Sequence, residues 1–242
     1  GEGAGSWLYF ADRLMEFPRG IFSSAIGTVI LPALSAQHSN KSTADFSATL
    51  DWGLRMILVI GLPAALGLAL LAGPLVTTIF GRGEFNSDDI RMTQAALWAY
   101  AFGFMGFSLV KVLVPGYYAR QETRLPTRYG IIALCAGMTV SLAVYLSAKF
   151  LHWQAAHAGL AAATSFTAWL NALLLLRRLR ADGIYQPAPG WGAYAARLLL
   201  ANLAMSAAAL LLAAPLEDWI AATERTRALN LGGVIAAAML AY

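Results

Sequence analysis

The sequence predicts an all-α integral membrane protein, a polytopic bundle of about seven transmembrane helices. Of its 242 residues, 59% are hydrophobic and only 12% are charged, whereas a soluble domain usually carries about 25% charged residues. A soluble fold of this size has too little interior to bury so much apolar surface. The apolar residues also fall in runs of about 20, the length that a helix needs to cross the hydrocarbon core.

Five runs without Asp, Glu, Lys or Arg predict the central helices, at residues 56–80, 92–110, 129–148, 158–176 and 198–216. The stretch before them, residues 7–34, is long enough to span but carries charges in its first half. The last run, residues 228–242, is too short to span and stops abruptly. We therefore expect a piece of a longer protein that opens in a loop between helices and ends within a truncated helix.

The charge of the loops predicts the orientation of the bundle. The loops after the first, third and fifth helices carry nine Lys and Arg residues, whereas the opposite loops carry five, together with most of the loop acids. Loops rich in Lys and Arg stay in the cytoplasm. The first helix should therefore begin outside and run inward.

The long loop between the first two helices, residues 35–54, is polar at first and then amphipathic. Phe46 and Leu50 belong to its apolar side, and Asp51 and Arg55 have the i,i+4 spacing of a helical ion pair. This pattern predicts a short helix that lies on the cytoplasmic face before the second membrane helix.

Four charged residues lie within about two turns of the first helix: Asp12, Arg13, Glu16 and Arg19. A charge at the bilayer centre costs about 2.5–3.5 kcal/mol on insertion scales, so we expect this group to face a protein interior or a water-filled cavity. Such clusters mark substrate or ion pathways. In the alternative interpretation, Asp12 and Arg13 form an interfacial ion pair near the outer headgroups, and Arg19 simply pairs with Glu16.

Three further residues are secondary candidates. Pro18 removes a backbone hydrogen bond, and Gly20 follows two residues later, so together they predict a hinge just below the charged group. Lys111 interrupts the third helix. It is either a cationic residue of a cavity or a lysine that snorkels toward the cytoplasmic interface.

No pattern in the sequence indicates an enzyme, a metal site or nucleic-acid binding. His38, His152 and His157 fall in different loops without the spacing of metal ligands. Motifs of the types GxxxxGK(S/T), GxGxxG and GxSxG, which bind phosphates or present nucleophiles, are missing. The net charge of +4 is not gathered in a basic stripe interleaved with aromatic residues.

The chain resembles the MurJ (MviN) family of bacterial lipid II flippases, of the multidrug/oligosaccharidyl-lipid/polysaccharide (MOP) exporter superfamily. The resemblance rests on four segments in the family's order, between about Ser6 and Pro189: SWLYFADRLMEFPRGIF, ILPALS, LDWGLRMILVIGLPAALGLALLAGPLVTTIFGRGEF and VKVLVPGYYARQETRLPTR. It implies one lobe of a fourteen-helix transporter. Residues 1–189 would be family helices 8–12, with a cavity-lining first helix. Residues 190–242 would be helices 13 and 14, the last truncated, which form a groove thought to take the lipid tail.

The resemblance also implies an activity. The family moves lipid II, the undecaprenyl-pyrophosphate-linked peptidoglycan precursor, from the cytoplasmic to the periplasmic leaflet of the inner membrane by alternating access. The implied partners are lipid II, membrane lipids and the N-terminal lobe of the same protein, with no cofactor and possible coupling to membrane potential or a monovalent ion. Some members bind Na⁺, but the corresponding helices here contain no Asp or Glu, which argues against a Na⁺ site.

The family motif matches this chain at Asp12, Arg13 and Glu16, which are needed for function in the family, whereas Arg19 is not carried over. Arg13 can offer a guanidinium fork to a pyrophosphate. Asp12 and Glu16 would repel a pyrophosphate, so we expect them to orient Arg13 or to gate the cavity. The alternatives are another MOP exporter, for lipid-linked oligosaccharides or for drugs with cation coupling, and a membrane scaffold without transport.

Overall fold

The computed structural model describes residues 3–83, 85–151 and 156–242. Within these ranges the chain is helical and contains no strand, which confirms the all-α prediction. The helices are α1 (Ala4–Ser39), α2 (Thr43–Leu70), α3 (Ala72–Phe80), α4 (Ser87–Tyr118), α5 (Arg124–Leu151), α6 (Ala156–Ala181), α7 (Trp191–Leu212), α8 (Leu216–Ala221) and α9 (Glu224–Ala241).

Five of these helices, α2, α4, α5, α6 and α7, are long and apolar enough to cross a membrane. The charged helix α1 has 36 residues, a length of about 54 Å at 1.5 Å per residue. The last helix, α9, has 18 residues. The polytopic helical bundle expected from the sequence is therefore confirmed for the described part of the chain.

The prediction of a separate surface helix within residues 35–54 is wrong. α1 continues to Ser39, and α2 begins at Thr43 and runs without a break to Leu70. Phe46 and Leu50 are buried in the core of the bundle. The amphipathic pattern of this segment therefore comes from packing against neighbouring helices and not from contact with the membrane surface.

Prolines set two helix boundaries that the apolar runs do not reveal. The run at residues 56–80 divides at Leu71, three residues before Pro74. In the run at residues 198–216, helix α7 ends at Leu212, and the short α8 begins directly after Pro215. Proline lacks the N–H that would continue a preceding helix but is tolerated in the first turn of a new one.

Helix α4 lies at the centre of the bundle and packs against α6, α1 and α2. A Cβ atom at Gly106 would lie only 2.7 Å from the backbone nitrogen of Trp169, so α4 and α6 approach closely through this glycine. Small residues bring membrane helices together in this way. The buried Tyr117 hydroxyl also donates to the Leu175 carbonyl at 2.8 Å, which joins the two helices near their other ends.

The start of α1 is held beside the starts of α4 and α6 by Trp7. Its indole nitrogen donates to Asp89 Oδ1 at 2.7 Å, and its ring lies 5.0 Å from the ring of His157. Asp89 also forms a capping box with Asn86 at the first turn of α4. These contacts align three helices that run in the same direction and so position the charged residues of α1 against α4.

Helix α5 presents an apolar face to its surroundings. Large side chains at helical spacing along it are 42–63% exposed: Ile131, Ile132, Leu134, Met138, Leu142, Tyr145 and Leu146. A contiguous apolar face of this size is not stable in water. It fits a helix that faces lipid.

Candidate functional site

The charged residues of α1 form two ion pairs. Arg13 Nη1 lies 2.7 Å from Glu16 Oε2, and Arg19 Nη1 lies 3.5 Å from Asp12 Oδ1. The alternative in which Arg19 pairs with Glu16 is therefore wrong. One helix thus holds two carboxylates and two guanidinium groups, each matched by an opposite charge, as expected for charges within a membrane span.

The two pairs differ in exposure. The side chains of Arg13 and Glu16 are 58% and 54% exposed, and Arg13 lies 5.9 Å from the Tyr9 ring. The guanidinium of Arg13 is therefore accessible on the surface of this bundle. Because such a group is costly in lipid, this surface must meet water or another part of the protein.

Arg19 is held more tightly than Arg13. Its guanidinium carbon lies 4.8 Å from the centre of the Phe107 ring on α4, and its Nε is buried without a hydrogen-bond partner. A cation over an aromatic face is attracted by the ring quadrupole. Arg19 therefore packs α1 against α4, whereas Arg13 contacts Glu16 and Tyr9 of its own helix.

The remaining sequence candidates lie close to this group. Lys111 is exposed on α4, one turn after Phe107, and no ion pair of Lys111 is found among the described residues. Pro18 and Gly20 lie inside α1, which remains helical through both. Among the described residues, no atom outside the α1 backbone lies within 4 Å of a Cβ atom built at Gly20. The hinge at Pro18 and Gly20 and the cavity role of Lys111 stay predictions.

A second polar cluster, centred on Asp51, was visible in the sequence only as an i,i+4 pair. Asp51 is 4% exposed. Its Oδ1 accepts hydrogen bonds from the Tyr185 hydroxyl at 2.9 Å, the Trp191 indole at 2.7 Å and the Ala188 backbone at 3.2 Å. Its Oδ2 accepts from Arg55 Nε at 2.8 Å. These contacts fix the segment between α6 and α7 against α2.

Arg55 completes this Asp51 cluster. Its Nη2 donates to the Pro189 carbonyl at 3.3 Å, and its guanidinium carbon lies 5.0 Å from the Trp191 ring and 5.3 Å from the Tyr194 ring. Burial, and then the hydrogen bond to Asp51, raise the pKa of the Tyr185 hydroxyl. The hydroxyl therefore stays a neutral donor at physiological pH. The signal that sequence reasoning overlooked is the aromatic content of residues 185–194, which surrounds Arg55.

Arg227, in the first turn of α9, is a second arginine that joins separate segments of the chain. It lies beyond the C-terminal end of α7, whereas Arg55 contacts the start of that helix. Its guanidinium donates to the carbonyls of Trp219 at 2.7 Å, Ile220 at 2.6 Å, Gly81 at 2.9 Å and Thr77 at 3.3 Å. These carbonyls belong to the ends of α3 and α8, which a cation stabilises. Sequence reasoning treated Arg227 only as a loop charge.

An apolar groove lies between the Asp51 cluster and the contacts of Arg227. It encloses about 490 Å³ and is lined by α2, α3, α7 and α9, with Ile60, Leu68, Met205, Ile235 and Met239 among its side chains. The sequence interpretation placed a groove on the last two helices. The groove described here also has walls from α2 and α3, and a lipid-tail groove on the last two helices stays a prediction.

Among the described residues, no group of three or more His, Cys, Asp and Glu side chains could hold a metal ion. His157 instead bonds the Met92 carbonyl through Nε2 at 2.9 Å, and His38 lies at the last turn of α1. His152 lies outside the described residues.

Comparison with known proteins gives a consistent result. The family model described as lipid II flippase MurJ matches residues 1–226. The chain is 43% identical to the probable lipid II flippase MurJ of Vibrio cholerae, over 99% of this chain and 44% of that protein. It is 40% identical to the lipid II flippase MurJ of Burkholderia cenocepacia, over 85% of this chain and 39% of that protein.

A solved structure shares the fold. The lipid II flippase MurJ in an inward closed conformation superposes with a TM-score of 0.74 at 21% identity, over 100% of this chain and 47% of that chain. The chain thus spans less than half the length of the relatives it matches. Because the family model covers most of the chain and curated relatives reach 43% identity, the chain belongs to the lipid II flippase MurJ family.

Proposed function

We propose that this segment is the C-terminal lobe of a lipid II flippase in the bacterial inner membrane. In this proposal it works with the N-terminal lobe of the same protein to move lipid II from the cytoplasmic to the periplasmic leaflet. The observation that carries the proposal is the exposed Arg13–Glu16 pair on the long helix α1, in a chain of this family.

The chemistry of Arg13 suits a pyrophosphate. A guanidinium presents its N–H donors in a planar fork that matches phosphate oxygens, and charge-assisted bonds of this kind are stronger than neutral ones. Glu16 already holds one edge of this fork at 2.7 Å. Arg13 would bind the diphosphate with its remaining donors, while Glu16 fixes the orientation of the guanidinium.

The groove beside α7 and α9 suits the polyprenyl tail. Its lining is apolar, and each methylene removed from water contributes about 0.8 kcal/mol. In lipid this gain is smaller, because the surroundings are already apolar. The groove would therefore guide the tail along the protein, while the charged group of α1 selects the headgroup.

Transport by alternating access requires the α1 surface to open to each side of the membrane in turn. Asp12 and Glu16 would gate this motion by exchanging their present partners for cations of the N-terminal lobe. We propose no bond-breaking chemistry and no resident cofactor. The driving force in this proposal is the membrane potential or a monovalent ion gradient.

Growth rescue tests this function. Cells depleted of their own lipid II flippase would receive the full-length protein, either unaltered or as Arg13→Ala or Arg19→Ala, with membrane levels checked by immunoblotting. We expect rescue by the unaltered protein, loss of rescue with Arg13→Ala, and a milder defect with Arg19→Ala, since Arg19 already packs on Phe107.

Two results would count against the proposal. Failure of the well-expressed unaltered protein to rescue would favour another substrate within the superfamily, such as a different lipid-linked oligosaccharide or a drug. Full rescue by Arg13→Ala would favour a cluster that only holds α1 at the interface.

A further inference from the structure

A second, basic cavity lies far from the α1 charges, where α1, α4 and α6 end. It encloses about 210 Å³ and is lined by residues of the α1–α2 turn, the end of α4 and the segment after α6: Gln37, His38, Lys41, Ser42, Thr43, Phe46, Arg120 and Ile184. This volume far exceeds the about 10–15 Å³ that a single water needs. The cavity therefore has room for a ligand group.

The lining is cationic. Lys41, Arg120 and His38 are basic residues, and none of the described residues that line the cavity is acidic. Asp45 lies beside it, in the first turn of α2, where its carboxylate accepts a hydrogen bond from the Ser42 hydroxyl. No ion pair of Lys41 or Arg120 is found in the described part of the chain.

Arg120 carries the strongest sign of a missing partner. Its Nη1 atom is buried and makes no hydrogen bond. A buried polar atom without a partner is destabilising, and more so when it belongs to a charged group. Gln37 Oε1, also on the cavity lining, is buried and unpartnered as well, and bound water is the simplest competing explanation.

Lys41 lies at the cavity, in the turn that ends α1. It adopts a left-handed backbone conformation, with φ 55°, immediately after the α1 C-cap Asn40. This position favours glycine or asparagine, because a larger side chain is strained there. Backbone hydrogen bonds from Lys41 to His38 and from Ser42 to Gln37 close the end of α1 here, and the Lys41 side chain lines the cavity.

The helix that starts at the cavity adds donors. Thr43 is the first residue of the 28-residue α2, and the N-cap Ser42 makes no side-chain cap to the backbone. The first N–H groups of a helix have no partner within it and attract anions. Basic residues at helix C-termini often only cap carbonyls, but no side-chain bond from Lys41 or Arg120 to a carbonyl is found in the described residues.

From these contacts we propose that the cavity binds a phosphate group through Lys41, Arg120 and the first turn of α2. The shared ligand chemistry is a phosphate ester or free phosphate, supplied by an anionic phospholipid headgroup or by a soluble phosphate compound. The site is distinct from the charged group of α1, which lies about two-thirds of the helix away. It would hold the α1–α2 turn against the ends of α4 and α6.

Binding to the full-length protein in uncharged detergent tests the proposal. Phosphatidylglycerol is titrated and counted by native mass spectrometry, alone and with inorganic phosphate at constant ionic strength. The site variant is Lys41→Asn with Arg120→Gln, since asparagine tolerates the left-handed conformation. The control is Arg177→Gln with Arg180→Gln, which removes two exposed charges at the nearby end of α6.

We expect one saturable site whose affinity falls at least about tenfold in the site variant, as for the loss of charge-assisted hydrogen bonds, and less than threefold in the control. The Arg13→Ala variant should retain this saturable site with unchanged affinity. Displacement of the lipid by inorganic phosphate would identify a soluble phosphate as the source, and resistance to displacement would identify the headgroup.

Equal losses in the two double variants would overturn the proposal in favour of diffuse surface attraction. The absence of any saturable binding would overturn it in favour of a water-filled cavity. If the double variant does not fold, the single Lys41→Asn protein decides between these results by the same measurement.

Discussion

Arg13 and Arg19 lie six residues apart on α1 but are held in different ways. Arg13 has a side chain that is 58% exposed and a single carboxylate partner, Glu16. Arg19 is 31% exposed, pairs with Asp12 and stacks on Phe107. The first arrangement leaves donors available to a ligand, whereas the second uses the side chain to join two helices.

This difference predicts opposite effects on stability and transport. Arg19→Ala should lower the free energy of unfolding by about 1 kcal/mol, because it removes a cation–π contact and a partly exposed ion pair. Arg13→Ala should leave stability nearly unchanged and abolish transport. Thermal unfolding of the purified variants measures the first effect. An equal fall in melting temperature for both variants would contradict the assignment.

Asp51 should matter more for stability than any charge on α1. Asp51→Ala leaves the Tyr185 and Trp191 donors and the Arg55 guanidinium without their shared acceptor. Removal of one partner from a buried ion pair lowers the free energy of unfolding by about 3–5 kcal/mol, so we expect a large fall in melting temperature. The control Asp45→Ala, at an exposed position of the same helix, should change it little. Similar effects of the two substitutions would contradict this role for Asp51.

At the scale of the helices, spacing alone predicted the membrane spans but not all of their limits. Continuous apolar runs identify α4, α5 and α6 because lipid and a packed core select the same side chains. The prediction of a surface helix within residues 35–54 was wrong because the same amphipathic pattern is found in helices on a membrane surface and in helices packed in a bundle. The aromatic partners of Asp51 lie 134–140 residues away along the chain. Local spacing could therefore predict only its partner Arg55.

The hinge in α1 gives a prediction about an element. Pro18 and Pro32 both lie inside this helix, but only Pro18 adjoins the charged group. Pro18→Ala should reduce growth rescue while stability is kept or increased, since proline within a helix costs about 3 kcal/mol relative to alanine. Pro32→Ala serves as the matched control and should retain rescue. Normal rescue by Pro18→Ala would argue against a working hinge there.

At the scale of the molecule, two polar groups of contacts attach α7 and α9 to the rest of the bundle. The Asp51 cluster holds the chain just before α7, and Arg227 holds the start of α9 against α3. The apolar groove lies between them. The groove is therefore part of one packed lobe, and the exposed charges of α1 form a separate surface of the same lobe.

We infer that this α1 surface lines a water-filled pathway, and the accessibility of an introduced cysteine tests this inference. In the full-length protein with every native cysteine replaced, Cys135 included, a cysteine is introduced by Glu16→Cys or, as a control, by Met138→Cys on the apolar face of α5. Met138 is as exposed as Glu16 in this lobe, at 63% against 54%. We expect a membrane-impermeant maleimide to label the cysteine at position 16 in intact cells but not the one at position 138. Absence of labelling at position 16 from either side of the membrane, under any transport condition, would contradict it.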